Sequence, residues 1–227
     1  MDERGVKIGK VRQVEVLRVT PGLLIILTGP TAAGKTEIRE RMIKAENSVF
    51  RPLVTTTSRI RRESEREGID YHFVTPTNFV QRLEEGQFVE HAEYGGNLYG
   101  TTKEELERVL NGERLISTME ISGAATFATH VRGVYGADDA EKILSKTIIL
   151  FIDPISKEAQ RKRYEQREKG LGAFAVRDVQ DQDMMEEYAD RFTHKVPNRD
   201  GELEQTLARV KELIEEQFED LSKEEIS

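Results

Sequence analysis

Apolar residues first gather without interruption at Leu23-Leu24-Ile25-Ile26-Leu27, a run that is β-branched at its centre, preceded by Pro21-Gly22 and followed by Thr28. A run this short, apolar at every position, predicts a strand covered on both faces in a parallel sheet. Residues 115–119 and 146–152 repeat the pattern, the second through Thr147-Ile148-Ile149-Leu150-Phe151-Ile152, and a last strand is expected near 194–198. Helical spacing intervenes: residues 35–45 place Ile38 and Met42 four apart, and helices are expected around 121–131, 156–168, 175–191 and 201–219. Strands alternating with helices in this way predict an open parallel sheet wrapped by helices.

The stretch between the first helix and residue 115 breaks that rhythm. Residues 52–57 read as a short strand ending in Thr55, Thr56 and Thr57, followed by a polar loop over 58–68 that closes on Ile69-Asp70-Tyr71-His72-Phe73. Thr75-Pro76-Thr77-Asn78 reads as a helix start. Residues 88–94 alternate as a strand, Gly95-Gly96-Asn97 makes a turn, and Tyr99-Gly100-Thr101 leads into a helix over 102–111. Residues 55–101 therefore look like a small lobe inserted between core elements. Gly133-Val134-Tyr135-Gly136-Ala137 reads as an irregular connection and Gly170-Leu171-Gly172 as a helix break, while residues 6–19 partly alternate, as an extra strand or arm would.

Composition narrows the chemistry. The 227 residues have room for one substantial core with small appended lobes. No apolar run approaches the roughly 20 residues of a membrane span, and residues 1–20 lack the pattern of a secretory signal; a soluble, cytoplasmic protein is expected. With no cysteine there is no disulfide, thiolate nucleophile or cysteine metal site. His72, His91, His130 and His194 are scattered, and are expected as surface or packing residues. A net charge of −8 argues against nucleic acid as a partner, so that any phosphate binding must come from local clusters of arginine and lysine.

Such a site is announced directly after the first strand. Gly29-Pro30-Thr31-Ala32-Ala33-Gly34-Lys35-Thr36 satisfies G-x-x-x-x-G-K-[ST]. The glycines let backbone N–H groups close around phosphate oxygens, Lys35 reaches the β- and γ-phosphates, and the Thr36 hydroxyl is placed to hold Mg²⁺. The following helix adds its positive dipole end.

From about Leu23 to the last helix the chain resembles the guanylate kinases. The phosphate loop is followed in order by Thr55-Thr56-Thr57-Ser58-Arg59 with Arg62, Glu65, Gly68, Asp70-Tyr71 and Phe73, then by Phe88-Val89-Glu90 and Tyr99-Gly100-Thr101. The resemblance implies an α/β phosphate-loop parallel sheet core flanked by helices (22–54, 102–160 and 190–227), an inserted GMP-binding lobe (55–101) and a helical lid (about 161–189). The arm over 1–21 is additional. It implies ATP as phosphoryl donor, bound by residues 29–36 and Asn198, and GMP or dGMP as acceptor. Arg59, Arg62, Tyr71 and Tyr99 would hold the acceptor phosphate, Glu90 would read guanine N1–H and N2–H, and Thr55, Thr101 and Glu120 would complete the pocket. Lys35 and Arg59 would act on the transferred group together with the lid arginines Arg163, Arg167 and Arg177.

The chain departs from the family where two aspartates usually end the central strand; Thr118 and Glu120 stand there instead. Two alternatives stay open: a kinase of another small phosphorylated acceptor, and a binding module on the same fold that performs no catalysis.

Overall fold

The computed structural model describes residues 22–154, 156–167 and 172–224. The expected arm over 1–21, residues 170 and 171 of the expected helix break and the side chain of Arg167 lie outside the described residues, while residue 172 begins a helix. In chain order the elements are β1 (Leu23–Thr28), α1 (Lys35–Lys44), β2 (Arg51–Pro52), β3 (Thr56–Thr57), β4 (His72–Phe73), α2 (Pro76–Glu84), β5 (Phe88–Tyr94), β6 (Asn97–Thr102) and α3 (Lys103–Leu110). They continue with β7 (Arg114–Thr118), α4 (Ile121–Val134), α5 (Ala137–Ser145), β8 (Thr147–Asp153), α6 (Lys157–Arg167), α7 (Gly172–Tyr188), a 3₁₀ turn (Ala189–Arg191), β9 (His194–Pro197) and α8 (Leu203–Glu224).

β1 is the axis of a five-stranded sheet of order β2-β7-β1-β8-β9, parallel throughout. Its residues divide by alternation. Leu23, Ile25 and Leu27 pack on one face with Ile38 and Met42 of α1 and Leu207, Val210 and Leu213 of α8. Leu24 and Ile26 pack on the other with Leu106 and Val109 of α3, Phe127 and Val131 of α4, and Ile143 of α5. Both faces of β1 are thus covered, which is why the run is apolar at every position; each of these buried aliphatic side chains contributes about 2 kcal/mol of transfer free energy.

The strand expected over 52–57 is two strands in two sheets. Pro52 ends β2 and has no N–H for the ladder. The chain then crosses to a four-stranded sheet of order β4-β3-β6-β5, and the Val54 N–H exposed by the crossing donates to the Glu105 carboxylate at 3.0 Å. The connection expected to be irregular over 133–137 is short: α4 runs to Val134, and α5 begins at Ala137 with Asp138 and Asp139 in its first turn and Ala140 and Ile143 buried. No described helix is long and apolar enough to cross a membrane.

Candidate active site

The carboxyl ends of β1 and β7, the N-terminus of α1, the smaller sheet and the α6–α7 pair surround one cleft of about 680 Å³. Clefts of α/β sheets open at this edge, where loops leave adjacent parallel strands.

The first wall is the loop between β1 and α1. Gly34 caps α1 at φ 98°, and a Cβ there would meet the Asn198 amide nitrogen at 2.2 Å; Ala32 also takes a left-handed conformation, at φ 57°. This backbone brings the loop against the N-terminus of α1, where the helix dipole favours an anion. Lys35 Nζ folds over the loop and donates to the Gly29 and Pro30 carbonyls, the second at 3.0 Å. Thr36 is exposed at the cleft surface beside it. Asn198, expected beside the adenine, sits behind the loop, where its amide donates to the Ala33 carbonyl at 2.7 Å and its oxygen accepts from Thr206 at 3.3 Å. Gly29 and Pro30 lie behind the cleft surface too, whereas Thr31, Ala32, Ala33 and Gly34 line it.

The opposite wall comes from the smaller sheet and the polar loop before β4. Glu65 organises it: its Oε1 pairs with Arg59 at 2.7 Å and Arg62 at 3.1 Å, and its Oε2 accepts the Arg62 N–H at 2.9 Å. Burial alone would raise the Glu65 carboxyl, but the Arg59 side chain and the Arg62 N–H outweigh it and hold the group below the usual carboxylate range. The Arg59 guanidinium also lies 5.5 Å from the Tyr71 ring centre and 5.8 Å from that of Phe73. The Tyr71 and Tyr99 rings meet edge to face at 6.1 Å. Burial pushes the Tyr99 phenol up to about 12, with the Glu120 charge adding to it, and the same two causes raise Tyr71. Both phenols are therefore neutral donors at any physiological pH.

Glu90 forms the deep end. The β5–β6 register slips between Phe88 and Glu90, a bulge that leaves Phe88, Val89 and Glu90 consecutively buried. Val89 joins the core while the Glu90 carboxylate turns into the cleft. Thr101, beneath the surface, donates to Glu90 Oε1 at 2.7 Å. The first turn of α4 passes so close that a Cβ on Gly123 would lie 2.8 Å from Oε2. Burial pushes the carboxyl up to about 7, the Thr101 hydrogen bonds opposing and the Glu120 charge reinforcing the shift. Thr55, Thr118 and Glu120 line the same region.

The roof is α6 and α7. Arg163 donates to the Ala32 carbonyl at 3.4 Å and pairs with Asp200. The Arg177 guanidinium lies over the rings of Tyr94 at 5.5 Å and Tyr164 at 5.8 Å. Several polar residues that join the walls were not anticipated from the sequence. Arg39 of α1 pairs with Asp70 at 3.2 Å, the ion pair being largely shielded from solvent. Thr31 is met by Tyr94 and Asp181, and by Gln160; burial and the neighbouring Asp181 charge drive the Tyr94 phenol far above its ordinary range. Tyr94, Gln160 and Asp181 fall in otherwise regular strand and helix segments, with nothing in their local pattern to set them apart.

Among the described residues no three His, Cys, Asp or Glu side chains gather as a metal site. Mg²⁺ bound with a nucleotide takes most of its oxygens from phosphate and water, needing one or two from protein. The Thr36 hydroxyl, exposed at the cleft beside Lys35, fits that demand.

A glycine-rich turn between the central parallel strand and a helix N-terminus, facing converging arginines, defines an α/β phosphate-loop protein. Opposite the loop stand paired arginines, two tyrosines and a buried glutamate. The family model for guanylate kinase matches residues 22–217, and the chain belongs to that family. It is similar to the guanylate kinase of Clostridium perfringens (strain SM101), with 40% identity over 104 residues, 45% of this chain and 48% of the relative. The match to the guanylate kinase of onion yellows phytoplasma is 33% over 147 residues, 64% of each chain. The chain spans about half the length of the first of these curated relatives. The crystal structure of guanylate kinase from Anaplasma phagocytophilum shares the fold, with a TM-score of 0.62 and 23% identity over 87% of each chain.

Proposed function

We propose that the protein is an ATP- and Mg²⁺-dependent guanylate kinase of the cytoplasm that transfers the γ-phosphoryl group of ATP to GMP or dGMP. The observation that carries the reading is the Glu90 carboxylate, buried against Thr101 at the deep end of the cleft that holds the phosphate loop. An ionised carboxylate accepts the adjacent N1–H and N2–H of guanine, where adenine offers an acceptor and would leave a buried charge unpaired.

The remaining residues divide the work. Loop amides and Lys35 hold the donor phosphates, and Thr36 would hold Mg²⁺, which neutralises charge on the β- and γ-phosphates. Arg59 and Arg62, aligned by Glu65, present guanidinium forks to the acceptor phosphate, and the Tyr71 and Tyr99 phenols add donors. An acceptor phosphate oxygen bonds to the γ-phosphorus as the bond to the ADP oxygen breaks. Charge on the transferred group is met by Lys35 and by Arg163, Arg167 and Arg177 from a lid formed by α6 and α7.

The test is ADP formation from ATP and Mg²⁺ with GMP, AMP, CMP and UMP offered separately. Turnover with GMP alone supports the reading. No turnover with GMP still bound in calorimetry replaces it with a binding module, and turnover with another acceptor reassigns the pocket.

A further inference from the structure

Every polar group of Thr31, backbone and side chain, is engaged by an element outside the phosphate loop. Its N–H donates to Asp181 Oδ2 of α7 at 2.7 Å. Its hydroxyl meets the Tyr94 hydroxyl of β5 at 2.5 Å, and Tyr94 donates in turn to Asp181 Oδ1 at 2.8 Å. Its carbonyl accepts from Gln160 Nε2 of α6 at 2.9 Å. All four residues are buried, so these bonds are not exchanged freely with water.

The anchors are spaced regularly against the arginines. Gln160 precedes Arg163 by three residues on α6, and Asp181 follows Arg177 by four on α7, so each anchor shares a helix face with one arginine. The C-terminal half of α7 is held separately, by Met184, Met185 and Tyr188 against the core. Its middle, one turn beyond Arg177, meets the loop through Asp181 and meets the β5–β6 turn through Gln180, whose side chain accepts the Gly95 N–H at 3.3 Å.

We propose that Asp181 and Gln160 are positioning residues that dock α7 and α6 onto Thr31 and so set Arg177 and Arg163 over the reacting phosphates. The proposal deepens the kinase reading and rests on it for the role of the two arginines. Asp181 is not among the residues that line the cleft; it acts through the Thr31 amide and the Tyr94 phenol. Its two carboxylate oxygens accept from two separate elements, a role that an amide fills only by half, because its nitrogen opposes a donor.

The test compares Asp181→Asn, Asp181→Ala, Tyr94→Phe and the exposed control Val179→Ala in steady-state kinetics, with amide exchange read at Thr31. The expected result is kcat lowered about tenfold or more in Asp181→Ala and less in Asp181→Asn, with KM for GMP within twofold, the scale of losing hydrogen bonds to a charged group. Thr31 exchange accelerates in the same order, and Val179→Ala matches wild type. Tyr94→Phe, which keeps the Thr31 amide bond, falls between wild type and Asp181→Ala. If Asp181→Ala does not fold, Asp181→Asn and Tyr94→Phe decide. Folded variants with kcat within twofold of wild type, or with Thr31 exchange unchanged, overturn the proposal. A wild-type protein inactive on GMP instead overturns the kinase reading, and Thr31 exchange then still reports whether Asp181 anchors the loop.

Discussion

Thr101 donates its hydroxyl hydrogen to Glu90 across 2.7 Å, and with burial pushing that carboxyl up to about 7 the pair stands near half-protonation at neutral pH. Only the ionised form accepts both guanine donors. GMP affinity should therefore rise about tenfold between pH 6 and pH 8, following the ionised fraction, and binding at pH 6.5 should release a proton. Calorimetry in buffers of different ionisation enthalpy measures both, and Glu90→Gln should abolish the proton release.

The same shift has an opposite sign for the ligand-free fold. A carboxyl raised above its unfolded value contributes stability that is complete below about pH 4.5 and is lost as pH rises through about 7. Melting curves of wild type and Glu90→Gln should accordingly diverge across that window, the variant gaining on the wild type as pH rises. Parallel curves would mean that Glu90 titrates as it does in the unfolded chain.

Glu65 touches no ligand in the proposed arrangement, yet it aligns Arg59 and Arg62. Glu65→Gln should raise KM for GMP about tenfold with a smaller change in kcat. It should also lower the unfolding free energy by about 2 kcal/mol, because two guanidinium groups lose their shared carboxylate. Kinetics and denaturant titration check the two parts separately.

Lys35→Ala removes the cation that folds over the phosphate loop. Turnover should drop by about a thousandfold, with GMP binding by calorimetry unchanged. An unaltered rate would refute the role given to Lys35.

Asn198 supports the loop from behind, so Asn198→Ala should loosen the Ala33 peptide. The expected outcome is KM for ATP raised several-fold with KM for GMP unaffected, a split that a residue of the acceptor pocket would reverse.

The legible parts of this molecule are those whose cause is local. β1 could be read because both its faces are buried, and the phosphate loop because its backbone demands glycine at φ 98° beside a helix N-terminus. The division of 52–57 between two sheets was less legible: Pro52 was visible, but the Glu105 carboxylate that receives the freed Val54 N–H lies 51 residues away. α5 does carry a local signal, Asp138 and Asp139 in its first turn ahead of the buried Ala140 and Ile143, but it is short and follows the preceding helix after two residues, where glycines suggest a loop. The Thr31 contacts depend on side chains 63, 129 and 150 residues distant. Local spacing cannot report such encounters, and only the folded chain brings them together.

Glu105 has a wider consequence than the single hydrogen bond at the crossing. Its carboxylate receives Val54 where the backbone leaves the larger sheet, while its own N–H donates to Thr102 where the backbone returns. Arg108, bound to the same carboxylate and to the Pro52 carbonyl, braces the pair. The smaller sheet thus hangs from the core by two adjacent covalent threads clasped at one side chain. The points where the chain enters and leaves the smaller sheet are thereby fixed to each other, and Arg39 gripping Asp70 adds a second tie, from that lobe to α1.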